Sequence, residues 1–180
     1  MSNIPKNKRS ESKLEALHRA YDLRRKITAE LMSTFGYSQK RLEAHIQKMT
    51  SYVQNPEERE EMSKIIREVQ EDFDSWFIMR ERDRVADFCQ GITEHLRAAN
   101  TLWPTNVSEF EERRLEMDRA LVCCNKLQDE LQYIAETLPA DKNKYMNIVL
   151  EIQSEYEVIK KLRQSDNRFL KEIQKKKASQ

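Results

Sequence analysis

Residues 56–100 read PEEREEMSKIIREVQEDFDSWFIMRERDRVADFCQGITEHLRAAN, and this stretch decides the fold class. Met62, Ile65, Val69, Phe73, Trp76, Phe77, Phe88, Ile92 and Ala99 recur at the period of an α-helix. Nothing in the run opposes a helix except the mild cost of Gly91. Asn55 can cap it, Pro56 suits the first helical position, and Glu58 falls in the first turn, where an anion is favoured. The pattern predicts one long helix, or two joined by a bend at Arg80-Glu81-Arg82-Asp83-Arg84, where charges interrupt the apolar stripe. Phe77 and Trp76 are both placed in the core by this spacing.

The flanking sequence repeats the pattern. Upstream, Leu14, Leu17, Tyr21, Ile27, Leu31 and Phe35 form an amphipathic stripe that starts near Ser10 or Ser12 and ends at Gly36. A short segment over roughly 38 to 52, capped by Ser38, carries Leu42, Ile46 and Met49 on one face. Downstream, the loop around Trp103-Pro104 ends the long helix, since proline disfavours the α region for the residue before it. Ser108-Glu-Phe-Glu111 has the form of a capping box, opening a helix with Phe110, Met117, Leu121, Cys124, Leu131, Ile134 and Leu138 that stops at Pro139. Asp141 can cap a last helix, periodic from Tyr145 through Ile152 and Ile159 to about Phe169. The expected fold is all-α: an antiparallel four-helix bundle with a short extra helix between the first two long helices. It would occupy residues 12–173, between basic disordered tails at 1–11 and 174–180.

Two glycines in 180 residues cannot supply the turns of a β-sandwich or a doubly wound sheet, nor a glycine-rich phosphate loop. The formal net charge of +1 hides a polarised chain. Residues 1–48 hold 11 basic and 5 acidic side chains, residues 49–116 hold 9 and 16, and residues 117–180 hold 12 and 10. Three cysteines, two of them adjacent, read as free thiols of a reducing compartment. No apolar run is long enough to span a membrane and no leader is visible at the start, so the expected location is cytoplasmic, with no membrane partner.

No motif for catalysis emerges, and neither a cofactor nor a metal centre is expected. Glu15-Ala-Leu-His18 is the single Glu-x-x-His match, whereas a di-iron bundle needs two. His45 and His95 have Leu42 and Ile92 in the corresponding places. Cys123-Cys124 lacks redox or zinc spacing and reads as one core and one flanking residue. The acidic run from 57 to 87 reads as a solvated face, its first glutamates favoured by the helix dipole.

The basic clusters carry the functional signal. Arg24, Arg25 and Lys26 on the first helix, with Lys160, Lys161, Arg163, Arg168 and Lys171 on the last, offer guanidinium forks and point charges for phosphates. Residues 158–180 hold eight basic and two acidic side chains. With four antiparallel helices both termini share one end, so Lys6, Lys8, Arg9 and Lys13 would join that run in one patch. Trp103, in a loop, either seals the end of the bundle or anchors a partner. Together with Arg80, Arg82 and Arg84 it forms the candidate protein interface.

Several strings resemble those of one family. They are Trp76-Phe77-Ile78, Glu81-Arg82-Asp83, Ala98-Ala99-Asn100, Pro104-Thr105, Glu112-Arg113-Arg114, Leu127-Gln-Asp-Glu-Leu-Gln-Tyr133 and Arg163-Gln-Ser-Asp-Asn-Arg168. Over roughly residues 14 to 171 the pattern resembles the accessory variability determinant proteins of diversity-generating retroelements, a phage and mobile-element class. The resemblance implies a basic helical bundle assembled as a ring-like oligomer that holds template RNA against a reverse transcriptase. The expected function is therefore a non-enzymatic accessory protein binding RNA, or a reverse transcriptase or other polymerase with its RNA, as a homo-oligomer. The rival is an oligomeric protein–protein scaffold without nucleic acid. An enzyme, resting on scattered carboxylates and thiols, stands third.

Overall fold

A computed structural model describes residues 12–31, 38–138 and 143–178. Among them the chain is all-helical: α1 (Ser12–Leu31), α2 (Gln39–Met49), α3 (Pro56–Thr101), α4 (Val107–Thr137), α5 (Asn143–Ser165) and α6 (Asn167–Ala178). The Asn55 side chain accepts from the Glu57 amide, and Pro56 occupies the first turn of α3, as its sequence predicts. At α4 the cap is Asn106, whose side chain accepts from the Glu109 amide, rather than Ser108. Glu109 in turn accepts from Thr105, which closes the turn and holds the Glu109 carboxyl below its usual range. Expected stops and caps at Gly36, Pro139 and Asp141 lie outside the described residues, as do Lys6, Lys8 and Arg9.

Helix α3 packs on α1 and α4, α4 on α5, and α5 on α1, each pair antiparallel. The buried face of α3 presents Phe77, Ile78, Val85, Cys89, Ile92, Leu96 and Ala99 to Ala16, Ala20 and Ile27 of α1 and to Met117, Leu127 and Ile134 of α4. Ile152 and Ile159 of α5 complete this core. Gly91 has a local reason: a Cβ there would stand 2.8 Å from Cys123 Sγ, so glycine permits the close approach of α3 and α4. Cys124 is buried and Cys123 half-buried, as read from the sequence.

Helix α3 is longer than anything it packs against. Arg84 Nη2 meets Glu130 Oε2 at 2.8 Å and the Phe77 ring lies against Tyr133, so α4 ends near the level of Trp76. The residues from Pro56 to about Asp74 run on alone for about 27 Å at the helical rise. Among the described residues only α2 packs on this overhang, where Leu42 and Ile46 are buried. Arg67 donates to both oxygens of Glu43 at 2.8 and 2.9 Å, and Gln39 donates to Glu71 at 3.0 Å.

Three sequence readings change here. Trp76 is 50% exposed, while its neighbour Phe77 alone enters the core. The helix runs unbroken through Arg80–Arg84 because its charges pair laterally: Glu81, 1% exposed, has Arg80 and Arg84 each 3.8 Å away. The acidic run is thus not wholly solvated, since Asp74 and Glu81 are both buried. Finally, the last helix divides at Asp166 into α5 and α6, and α6 continues to Ala178 with exposed side chains from Gln174 onward. No helix among the described residues is long and apolar enough to cross a membrane.

Candidate nucleic-acid interface

The antiparallel packing brings the start of α1, the C-terminal ends of α3 and α5, the start of α4, and α6 to one end of the molecule. Arg113 holds that end together. Its side chain is buried, its Nε donates to Asp166 Oδ2 in the α5–α6 turn, and its Nη1 donates to the carbonyls of Ala99 and Leu102 at the end of α3. A guanidinium is suited to this because its planar fork can satisfy several acceptors at once. The turn itself is closed by Asp166, whose amide donates to Leu162 and whose carbonyl accepts from Phe169.

Beyond the turn α6 is amphipathic. Phe169 and Ile173 bury against Phe110, with Val107 and Leu170 alongside. Arg168, Lys171 and Lys175 lie off that face, Lys176 and Lys177 follow in the last turn, and all five are exposed. The Arg168 guanidinium lies 5.0 Å from the Phe169 ring centroid, and Trp103 meets the same ring edge-on at 5.1 Å. Trp103 nonetheless remains 64% exposed, so one edge of the indole seals Phe169 while the rest faces outward. An exposed aromatic beside exposed cations is the chemistry that stacks a base and neutralises phosphates.

The predicted contact residues fall into two groups. Lys161, Arg168 and Lys171 lie at the α5–α6 end, exposed and without ion pairs among the described residues. Lys160 is beside them but stands 3.5 Å from Glu157, and Arg163 donates to Asp118 at 3.0 Å. Arg24, Arg25 and Lys26 are elsewhere, about two turns further along α1. Arg24 bridges to Thr93 and Gln90 of α3 at 3.3 and 3.4 Å, Arg25 pairs with Asp22, and Lys26 reaches Glu151 of α5 at 2.8 Å. These three are interhelical or local ties, and the structure does not bring them into the terminal patch.

The candidate protein-interface arginines are likewise engaged. Arg84 pairs with Glu130, Arg80 lies 5.3 Å from the Trp76 ring centroid, and Arg82 is half-buried. They lie near the middle of α3, whereas Trp103 follows its C-terminal end.

Comparison with protein-family models, curated proteins and solved structures finds no match.

Sequence reasoning missed the buried carboxyls. Burial, and a hydrogen bond with Glu81, push Glu130 up to about 7, partly opposed by Arg84. Burial also pushes Glu155 of α5 up to about 7, with Arg19 Nε 3.4 Å away as a partial counter-charge. Both positions continue the apolar stripes of their helices, at i+3 from Leu127 and from Ile152, which is the one signal that could have placed them inward. Glu155 also lines a polar cleft of about 250 Å³ between α1 and α5, with Arg19, Asp22, Lys26, Glu151 and Ser154. The thiols are not poised as nucleophiles, because burial raises Cys89 to about 12 and Cys124 still further.

Proposed function

We propose that this protein is a non-enzymatic accessory factor, an antiparallel four-helix bundle with α2 as an extra helix, that binds RNA through its α5–α6 end. The observation that carries this reading is the exposed Trp103 and Arg168 meeting on the Phe169 ring at a turn held by Arg113, with exposed Lys161 on α5 and Lys171 and Lys175–Lys177 on α6 to either side. Affinity would come from phosphate neutralisation and from stacking on the indole, without a sequence-reading groove. A polymerase of the reverse-transcriptase class is the protein partner that fits an RNA-holding adaptor, and the cytoplasm the compartment that fits its free thiols. The resemblance of Arg163–Arg168 and the strings around it to retroelement accessory proteins supports the same class.

The test is fluorescence anisotropy of a labelled single-stranded RNA titrated with the protein at low and moderate salt. Binding should weaken steeply with salt, and K161E/R168E/K171E should abolish it with helicity unchanged by circular dichroism. R24E/R25E should weaken it much less. Salt-independent binding, or full retention in the triple variant, would overturn the assignment.

A further inference from the structure

Among the described residues, no other helix covers a continuous apolar stripe on the α3 overhang. Ile65 is 57% exposed, Val69 67%, Phe73 39%, Trp76 50% and Met79 62%. At 100° per residue these five side chains fall within about 120° of one another around α3, opposite the face that enters the core and clear of the face that α2 covers. Helix α2 takes Ser63, Arg67 and Glu71 as partners, on another side of the same turns. The stripe is thus neither part of the core nor closed by the hairpin. Together the five present on the order of 500 Å², the upper range for the largest apolar patch of a monomer.

The charges flanking the stripe say what covers it. Its N-terminal end is acidic, with Glu57, Glu58, Glu60 and Glu61 around a single Arg59. Its C-terminal end carries Arg80, Arg82 and Arg84 against Glu81, which is buried, and Asp83. The Arg80 side chain is 54% exposed. Laid antiparallel on a second copy and crossing at Val69, the first half of the stripe meets itself, Ile65 facing Phe73 and Val69 facing Val69, while Trp76 and Met79 lie over Met62 and Arg59 of the other copy and Glu58 of each copy comes beside Arg80 of the other. A parallel pairing would instead set the acidic ends side by side. The twofold arrangement is self-complementary in charge, and complete burial of both stripes against the other copy would reach the ~1,000 Å² that a specific interface requires. Among the described residues α5 does not pack on α3, and α4 packs on the opposite face from the stripe, which leaves the outer face for a second helix.

We infer that the chain forms an antiparallel homodimer through the 65–79 stripe of α3. The two α2–α3 hairpins build the joint, and the two Arg113-tied ends point away from each other. This inference is independent of RNA binding, because the two surfaces lie at opposite ends of α3.

The full chain carrying Val69→Cys, oxidised and run on a non-reducing gel, tests the arrangement directly. A crossing at Val69 places the two new thiols together, so a covalent dimer should form, while the unsubstituted chain stays uncrosslinked. Glu58→Cys alone should not crosslink, but mixed with Arg80→Cys it should. Light scattering adds a readout independent of thiols: the mass should be twice that of the chain. It should fall to monomer in E58K and in R80E, and return in E58K/R80E, where the pairing is restored with reversed sign. A monomeric mass in the unsubstituted chain would assign the stripe to another partner and overturn the inference. Crosslinking of Glu58→Cys with itself would overturn the antiparallel register, as would a dimer indifferent to E58K.

Discussion

The two halves of α3 are both amphipathic and share one continuous helical conformation, yet they do opposite things. From Phe77 to Ala99 the helix buries seven apolar side chains among α1, α4 and α5, and its last turn is clamped by Arg113. From Pro56 to Trp76 its sole fully buried residue is Asp74, and its large apolar side chains face outward. The difference teaches that an apolar stripe specifies that something covers a helix, not what covers it. The cover of the C-terminal half is encoded elsewhere in the same chain. Among the described residues the N-terminal half meets only the short α2.

The comparison breaks most readily at Arg113. Arg113→Ala strands Asp166 in a buried site and frees two carbonyls, a loss of about 3–5 kcal/mol. Chemical denaturation should show a lower midpoint for the whole body, and an unchanged midpoint would mean that the clamp is ornamental. Next, Leu127→Ala in the core should cost about 2–5 kcal/mol and lower the single cooperative transition. Leu42→Ala, at the α2 contact, should leave that transition nearly in place. It should instead raise amide hydrogen exchange across residues 39–70, which separates a locally opening hairpin from a global fold.

A pH comparison follows from Glu155. Its carboxyl is raised from 4.5 to about 7 in the folded chain, so the folded state binds the proton more tightly than the unfolded one. Its contribution to stability is whole below pH 4.5 and is lost as pH rises towards 7. Glu155→Gln should therefore stabilise the protein at pH 8 by up to about 3 kcal/mol, and far less at pH 5. Melting curves at the two pH values would show it, and an equal shift at both would place the effect in packing alone. The smallest change is expected from Val69→Ser, which should alter the stability of the isolated chain by no more than about 0.5 kcal/mol. The exposed stripe contributes little to the chain's own fold, so a larger loss would show it to be core.

Much of the fold was legible. The periodic stripes, Asn55-Pro56 and Trp103-Pro104 locate α3 and the loop after it, because capping and proline act locally. What escaped were choices made by tertiary contact. Ser108 and Asn106 both suit a cap, and which one closes α4 depends on the turn from Thr105. Trp76 and Phe77 are adjacent aromatics, but they stand about 100° apart on the helix and α4 lies on the side of Phe77. Asp166 shows no break in sequence, since its role comes from Arg113 on another helix. The terminal cations at Lys161, Arg168 and Lys171 were legible as a run of like charge. The engagement of Arg24, Arg25 and Lys26 was not, because Gln90, Thr93 and Glu151 are remote in sequence.

The Arg113–Asp166 pair also constrains how this chain can change over generations. The two residues are 53 positions apart and share one buried site. A mutation in either alone leaves an orphaned charge, so drift through single steps is closed at both positions. A lineage can abandon the pair only by replacing both together, with apolar side chains of similar volume. Among descendants of this sequence, positions 113 and 166 should therefore vary as one heritable unit, either both ionic or both apolar.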